Sequence, residues 1–412
     1  MIALRFSKTR KSRVFKNGQC VNDKSAKLLH SSTHASQEGN TMQQRRMEKN
    51  VLMQKIKTEN GFLRMGWNES DVPLTTPVKA DRGASKAEEN KRGEIKAKKG
   101  VVPIFFATDN KYLPFLSITL ESIWENSSRE YDYEMYVLHS GVDEEYKQKI
   151  LRYNERDCFH IQFVDVTEKL ELIASHLHIR DYYSKTTYFR IFIAEMFPQY
   201  DKALYLDCDT VVLGDVSELY HYDLGNNLIG GAPCEGVNCF DVYKRYVTEV
   251  DGCDTDYFFN AGVILMNLKA FREEGFYEQF ADLLQKYKFT VIQDEDYLNV
   301  LCQDRILRLP RAWNKTPVAP DRLPREDLRI VHYIMTWKPW NFSDVPYQEY
   351  FWEYAEKTEF YDLIKGIKAS FTAAGVEGAK QCEDSLKALA ESEISRPDGY
   401  FKVHGKRYGN VR

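Results

Sequence analysis

The chain lacks closely spaced cysteine pairs and long apolar runs, and each absence argues against certain classes of protein. Its eight cysteines are scattered over 412 residues with no C-x-x-C pair, which favours free thiols over a disulfide framework or a zinc site. No apolar run reaches the roughly eighteen residues of a membrane span. The basic N-terminus, MIALRFSKTRKSR, lacks the apolar core of a signal peptide. We therefore expect a cytoplasmic protein.

Net charge is also small, at −4, but it is unevenly distributed. Residues 1–100 hold 22 Lys and Arg against 10 Asp and Glu, a net of +12, which leaves −16 for residues 101–412. The first hundred residues lack apolar periodicity and are predicted to form a disordered basic arm. Such an arm can rest on anionic lipid at the inner face of the membrane, or it can be a solvated tail. We expect no specific nucleic acid binding.

From residue 101 onward, strand patterns alternate with helical patterns. Apolar runs that predict buried strands occur at VVPIFFATDN (101–110), YEMYVLHSG (133–141), HIQFVDV (160–166) and FFNAGVILMNL (258–268). Residues 112–125 and 184–197 have helical spacing, and one long amphipathic helix is predicted after residue 268, to about Lys288. The alternation predicts an α/β fold with a mainly parallel central sheet, whose ligands bind at the carboxyl ends of its strands.

Composition divides the chain into three predicted parts. Residues 1–100 are the basic arm and residues 101–345 are the α/β domain. After Gly366 the sequence becomes polar and rich in Ala, Glu and Lys, with a basic end, which predicts a loosely packed helical tail. Residues 346–412 are therefore assigned to a C-terminal helical extension.

The stretch ALYLDCDTVV (203–212) places two carboxylates, Asp207 and Asp209, at the end of an apolar run. Alternate residues of a strand share a face, so the two side chains are expected to point the same way. Two ionised carboxylates repel each other unless a cation or a proton lies between them. A hard divalent ion such as Mn²⁺ or Mg²⁺ resolves that repulsion and keeps open positions for phosphate oxygens. The alternative is a pair of acids that simply ends the strand.

The same letters also match the phosphatase pattern of the haloacid dehalogenase superfamily. In that pattern Asp207 would be the nucleophile and Asp209 the general acid. The pattern usually closes the first strand of its fold, whereas about a hundred residues of α/β chain precede it here. The phosphatase remains the rival hypothesis at this point.

Five segments of the sequence, taken in order, together resemble one enzyme family. FFATDNKY, TTYFRI, LYLDCDTVV, FNAGVILMNL with QDEDYLN, and HYIMTWKPW all lie between Val101 and about Trp340. Over this region the chain resembles retaining glycosyltransferases of family 8, the group of glycogenin and bacterial lipopolysaccharide galactosyl- and glucosyltransferases. The resemblance implies a Rossmann-like GT-A fold, a nucleotide-sugar donor that is usually UDP-linked, and a Mn²⁺ or Mg²⁺ ion.

The resemblance also implies a role for each matched residue. The metal ligands would be Asp207, Asp209 and His332, and the catalytic residues would be Asp294, Glu295 and Lys338. The residues that bind the nucleotide sugar would be Ala107, Thr108, Asp109, Tyr112, Arg190, Asp207, Cys208, Asn260, Asp294, His332 and Lys338. From the residues alone, Asp109 also suits an ordinary turn, Arg190 suits a structural ion pair, and the acids from Asp294 suit a helix start.

Two positions depart from the family pattern. Many relatives have Gln at the position of Glu295, where a carboxylate would stabilise an oxocarbenium-like transition state or act as nucleophile. Many relatives have Gly at the position of Met335, where backbone meets diphosphate. Four nearby aromatic residues suit either an acceptor platform or the core: Trp313, Trp337, Trp340 and Phe342.

The resulting hypothesis is a metal-dependent retaining glycosyltransferase. It would move glucose or galactose from a UDP-sugar to a glycan, a lipid-linked sugar or a protein. A third hypothesis, beside the phosphatase, is a non-catalytic protein that binds a UDP-sugar.

Overall fold

The structure, a computed structural model, describes residues 99–171, 173 and 185–404. The predicted basic arm, except Lys99 and Gly100, lies outside the described residues. So do the last eight residues of the basic C-terminal end, 405–412.

A seven-stranded sheet forms the centre of the fold, in the order β3-β2-β1-β4-β7-β6-β8. Its strands are β1 (Gly100–Ala107), β2 (Tyr131–His139), β3 (Phe159–Asp165), β4 (Ala203–Leu206), β6 (Ile229–Pro233), β7 (Phe259–Met266) and β8 (Ile306–Arg308). Four neighbouring pairs are parallel, and only β7 runs antiparallel to its neighbours, β4 and β6. The predicted α/β fold with a mainly parallel sheet is confirmed.

Helices surround the sheet. They are α1 (Leu113–Asn126), α2 (Glu144–Leu151), α3 (Thr167–Glu171), α4 (Ile193–Met196), α5 (Val216–Tyr220), α6 (Glu235–Cys239), α7 (Asp241–Tyr246), α8 (Leu268–Glu273), α9 (Phe276–Lys286), α10 (Asp294–Cys302), α11 (Gln348–Ala355), α12 (Tyr361–Ser370), α13 (Ala373–Ser395) and α14 (Tyr400–His404). Within the described residues, no helix is both long and apolar enough to cross a membrane.

Local sequence explains where several of these elements begin. The last six residues of β1 are all buried, as expected for an apolar run whose strand is covered on both faces. Asp143 precedes α2, and its carboxylate accepts the backbone N–H groups of Glu145 and Tyr146. This contact satisfies donors that a helix start leaves without partners.

Three local predictions were wrong in detail. Residues Lys185–Phe192 form a 3₁₀ helix, and only Ile193–Met196 is α-helical. The long helix after residue 268 is two helices, separated at Gly275, whose φ of 64° lies in the left-handed region that glycine adopts at little cost. The strand that contains the aspartate pair ends at Leu206, and a separate strand, β5 (Thr210–Val212), follows.

Strand β5 belongs to a second, two-stranded sheet. It pairs antiparallel with β9 (Ile330–His332), and Thr210 lies opposite His332. This pairing brings two segments together that are more than a hundred residues apart in sequence. It therefore joins the aspartate pair to the HYIMTWKPW segment.

The C-terminal region is helical, as predicted, but α13 is anchored along one face. That face buries Leu386, Ala390 and Ile394, and the helix lies against α7. Its exposed face carries Val376, which is 47% exposed. The description "loosely packed" therefore applies to one side of the helix only.

Candidate active site

A cleft lies at the carboxyl ends of β1 and β4, where the antiparallel strand β7 begins. It has an empty volume of about 790 Å³, including space open to solvent. Most of the predicted site residues line it: Ala107, Tyr112, Arg190, Asp207, Cys208, Asp209, Asn260, Asp294, Glu295, His332 and Lys338. Residues from five separate segments therefore meet at one edge of the sheet.

Asp207, Asp209 and His332 form a compact cluster. One ligand atom from each lies within 4.8 Å of the others. Nε2 of His332 is 3.2 Å from Oδ1 of Asp209 and 3.6 Å from Oδ2 of Asp207. The two carboxylates converge because the chain turns between β4 and β5, and not because they alternate on one strand as the sequence suggested.

The histidine ring is oriented by Asn314. Nδ1 of His332 lies 3.0 Å from Oδ1 of Asn314, whose amide nitrogen donates to Oδ1 of Asn260 at 2.9 Å. The amide oxygen of Asn314 is thus the acceptor, and Nδ1 carries the proton. Nε2 then presents a lone pair to the two carboxylates, so a cation or a second proton is needed between them.

Gly262 provides the space for this cluster. A Cβ atom added there would lie 2.1 Å from Cε1 of His332 and 2.6 Å from Oδ2 of Asp207. The carbonyl of Gly262 also accepts a hydrogen bond from the backbone N–H of Asp207 at 2.7 Å. The sequence predicted a close backbone approach at Ala261-Gly262, and the atoms approaching Gly262 in the structure are those of the proposed ligands. Two carboxylates and an imidazole, with glycine beneath them, fit a divalent ion.

Lys338 is buried against the same cluster. Its Nζ lies 2.5 Å from Oδ2 of Asp209 and also donates to the carbonyl of Tyr333. Burial would raise the pKa of Asp209, but Lys338 and His332 outweigh it and hold that pKa well below its usual range. Asp209 is therefore ionised at neutral pH.

Arg190 connects the metal cluster with the start of α10. It is 2% exposed. Its Nη2 lies 3.2 Å from Oδ1 of Asp207, and its Nε lies 3.3 Å from Oδ2 of Asp294. Nη1 also donates to the carbonyl of Ala261. The structural ion pair considered from sequence is present, and it lies in the cleft itself.

Glu295 is buried, and hydrogen bonds hold one of its two carboxylate oxygens. Its Oε2 accepts the backbone N–H of Ala261 at 2.9 Å and the side-chain amide of Asn260 at 3.0 Å. Among the described residues, its Oε1 has no hydrogen-bond partner. Burial raises the pKa of Glu295 to about 8 and that of its neighbour Asp294 to about 6. One oxygen of Glu295 is thus fixed, while the other remains available.

The segment FFATDNKY contributes some residues to the cleft and others to a turn. Ala107 and Tyr112 line the cleft, but Thr108 and Asp109 are not among its lining residues. Oδ1 of Asp109 accepts the backbone N–H groups of Lys111 and Tyr112, which is the turn geometry expected as the alternative. Cys208 is buried, and its thiol donates to the carbonyl of Ala107 at 3.2 Å.

The candidate aromatic platform does not form as one surface. Trp313 and Trp340 are buried in the core, and Trp340 stacks on Phe115 with ring centroids 3.6 Å apart. Trp337 is 37% exposed and stacks on Phe342. Met335 lines the cleft with φ at 57°, a strained backbone for a residue other than glycine.

Sequence reasoning missed two residues of this site. Tyr205 donates from its hydroxyl to Oδ1 of Asp207 at 2.9 Å, and its place two residues before Asp207 was an available signal. Asn314, which orients His332, lies in a 3₁₀ turn (Arg311–Asn314) with no local pattern to mark it.

The sequence of the chain is similar to the sequences of known glycosyltransferases. The family model for glycosyl transferase family 8 matches residues 103–344. A putative glycosyltransferase of Haemophilus influenzae is 27% identical over 229 residues, covering 55% of this chain and 67% of that protein. The lipopolysaccharide 1,2-glucosyltransferase of Escherichia coli is 27% identical over 256 residues, covering 58% and 72%.

Solved structures agree on the fold. The galactosyltransferase LgtC, in complex with donor and acceptor sugar analogues, is 26% identical with a TM-score of 0.53, covering 63% of this chain and 96% of that one. The bifunctional glycosyltransferase WbbM is 25% identical with a TM-score of 0.58, covering 68% of this chain. The match spans about half of that bifunctional chain, 53%. The fold is therefore GT-A, and the chain belongs to glycosyltransferase family 8.

Proposed function

We propose that this glycosyltransferase transfers a hexose, glucose or galactose, from a UDP-sugar to a hydroxyl group of a glycan, a lipid-linked sugar or a protein, with retention at the anomeric carbon. The observation that carries the proposal is the convergence of Asp207, Asp209 and His332 within 4.8 Å, beside Lys338 and Glu295 in one cleft. The E. coli relative, by its name, is a glucosyltransferase, and LgtC a galactosyltransferase.

The three ligands would hold Mn²⁺ or Mg²⁺ at the diphosphate. When bound, such an ion offsets the negative charge that grows on the departing diphosphate. Lys338 adds a second positive charge, because its ammonium group is already buried beside Asp209. Together these groups favour breaking of the bond between the anomeric carbon and the phosphate oxygen.

Glu295 and Asp294 would act at the sugar. Asn260 and the backbone of Ala261 fix one oxygen of Glu295, so its Oε1 would face positive charge developing at the anomeric carbon. In one route, Glu295 stabilises this charge while the acceptor oxygen bonds on the same face and its proton passes to the leaving phosphate. In the other, Oε1 bonds the anomeric carbon as the bond to the phosphate oxygen breaks. The acceptor oxygen then displaces the Glu295 carboxylate from that carbon, and its proton passes to the released diphosphate.

The rival chemistry fits Asp207 poorly. A phosphoryl nucleophile needs a free carboxylate oxygen, but Oδ1 of Asp207 contacts Arg190 and Tyr205. Its Oδ2 faces His332 at 3.6 Å. One oxygen is thus held by Arg190 and Tyr205, and the other faces the imidazole, an arrangement that suits a metal ligand better than a nucleophile. A phosphatase would release phosphate from small phosphoesters and would trap beryllofluoride at Asp207.

The decisive experiment measures donor binding and hydrolysis together. UDP-glucose and UDP-galactose should raise the melting temperature only with MnCl₂ or MgCl₂, and slow release of UDP should stop in EDTA. Asp209→Asn should reduce metal-dependent hydrolysis by about two to three orders of magnitude, with the fold intact by circular dichroism. Asp362→Asn, at a side chain exposed on α12, is the matched control.

Each alternative outcome has a clear meaning. Full activity of Asp209→Asn, or full activity in EDTA, would overturn the metal assignment. Tight UDP-sugar binding without hydrolysis, and without transfer to any hydroxyl acceptor, would instead identify a non-catalytic binding protein.

A further inference from the structure

A second pocket adjoins the cleft on the side of Glu295. The two cavities share Asn260, Ile292, Glu295, Ile334 and Met335 as lining residues. The second has an empty volume of about 480 Å³, including space open to solvent. A molecule with a hydroxyl group beside Glu295 would therefore extend directly into it.

Helix α13 contributes to the wall of this pocket. Leu386 of α13 lines it, together with Met335 and with Val237 of α6. Val291 and Ile292, at the approach to α10, are also apolar lining residues. Glu295 and Asn260 mark a polar end that opens to the cleft, and Cys234 and Tyr243 also line the pocket. Most of the other lining side chains are apolar.

Helix α13 is fixed in this position by two kinds of contact. Leu386 is only 5% exposed, and Ala390 and Ile394 continue its buried face. The hydroxyl of Thr336, next to Met335, donates to Oε1 of Glu383 at 2.5 Å. The helix is therefore joined to the loop that carries Met335 and Lys338.

Helix α13 also lies outside the region that defines the family. The family model ends at residue 344, whereas α13 begins at Ala373. Leu386 is thus a part of this chain's active-site surroundings that family membership does not supply.

We propose that α13 is the acceptor-selecting element of this chain, and that Leu386, Met335 and Val237 form a subsite for an apolar group attached to the acceptor sugar. The inference rests on the proposed transfer function and specifies its acceptor side. A polar or charged group in this pocket would lose water without gaining enough hydrogen bonds. An aryl or alkyl group would exchange water for hydrocarbon contact. The acceptor class is therefore a glycoside with a hydrophobic aglycone.

The test compares acceptors that differ only in that group. With the UDP-sugar that the wild-type protein hydrolyses, p-nitrophenyl and methyl β-glycosides of glucose and galactose are assayed as acceptors. The wild type should have a lower KM for the p-nitrophenyl member of a pair, by about tenfold. Leu386→Ala should reduce this preference at least about fivefold, whereas Leu386→Met, similar in volume and apolar, should retain it.

Val376→Ala is the control on the same helix, because Val376 is exposed, and it should keep the wild-type preference. If Leu386→Ala does not fold, Leu386→Phe tests the same contact by filling the pocket, and it should raise the KM for the p-nitrophenyl acceptor alone.

Three results would overturn the inference: no p-nitrophenyl preference in a wild type that hydrolyses UDP-sugar, an equal change for both acceptors, or the same change in the control. The first would leave the proposed function standing. Failure to bind or hydrolyse any UDP-sugar would instead remove the proposed function, and the inference with it.

Discussion

Gly262 lies directly beneath His332, and the space between them is too small for one additional carbon atom. A Cβ on Gly262 would approach Cε1 of the imidazole to 2.1 Å and Oδ2 of Asp207 to 2.6 Å. The φ angle of Gly262 is not in the left-handed region. This glycine is therefore required for its size and not for its backbone freedom.

Gly262→Ala should consequently separate His332 from the two aspartates. We expect metal-stimulated UDP-sugar hydrolysis to fall at least about 100-fold, and the free energy of unfolding to fall by about 1–3 kcal/mol. Activity assays and urea denaturation measure the two effects. Gly378→Ala is the control, because no atom lies within 4 Å of a Cβ built there. Normal metal-stimulated activity in Gly262→Ala would show that the cluster does not need this spacing.

Asn314 should control metal affinity through the tautomer of His332. Asn314→Ala removes the acceptor for Nδ1, and we expect Mn²⁺ to bind about 10–100-fold more weakly. Asn314→Asp keeps an acceptor oxygen of the same size and should bind Mn²⁺ more tightly than Asn314→Ala does. Titration of Mn²⁺ by calorimetry distinguishes them. Equal affinities for the two variants would exclude a role for this hydrogen bond.

Glu295 should impose a pH dependence on the reaction. Burial raises its pKa to about 8, so the group is mostly neutral at pH 7 and ionises as the pH rises. If the carboxylate stabilises the developing positive charge, kcat/KM, which reports the ionisation of the free enzyme, should increase between pH 6.5 and 8.5 by more than about tenfold. Glu295→Gln cannot ionise and should lose that rise. Identical pH–rate profiles for both proteins would contradict the assignment.

Asp251 and Asp296 are a buried pair of carboxyl groups that should make the free energy of unfolding depend on pH. Burial, and then the neighbouring Asp296, raise the pKa of Asp251. An acid whose pKa is raised in the folded state binds more protons there, so stability is greatest at low pH. It is lost as the pH rises from about 4, where the unfolded groups ionise, through the raised folded pKa.

Asp251→Asn should therefore stabilise the protein at pH 8 relative to pH 5. One unit of pKa difference corresponds to about 1.4 kcal/mol, so the free energy of unfolding of the wild type should fall measurably from pH 5 to pH 8, and that of Asp251→Asn should fall less. Urea denaturation in EDTA measures it without a contribution from bound metal. Asp362→Asn, at an exposed site, should show the wild-type dependence. If Asp251→Asn changed the free energy of unfolding by the same amount at both pH values, the explanation would be wrong.

Local sequence predicted five of the seven strands of the central sheet and the identity of the carboxylates, whereas β6 and β8 had no predicted counterpart. The strand patterns were visible because β1 is covered on both faces and must be apolar almost throughout. Asp207 and Asp209 stood out because two acids, one residue apart, directly follow an apolar run. Breaks within helices and strands were harder to predict, as at Gly275 and at Leu206, where β4 ends. One continuous element and two shorter ones give the same apolar periodicity.

The sequence by itself determined the types and the order of the reactive groups, together with the family to which they belong. Only the tertiary structure decided which of them meet. The pairing of β5 with β9 brings His332 to the aspartates, and Asn314 then fixes its ring. Packing of α13 places Leu386 beside the cleft. These contacts join segments far apart in the chain, and burial of shared apolar surface selects them without leaving a local pattern.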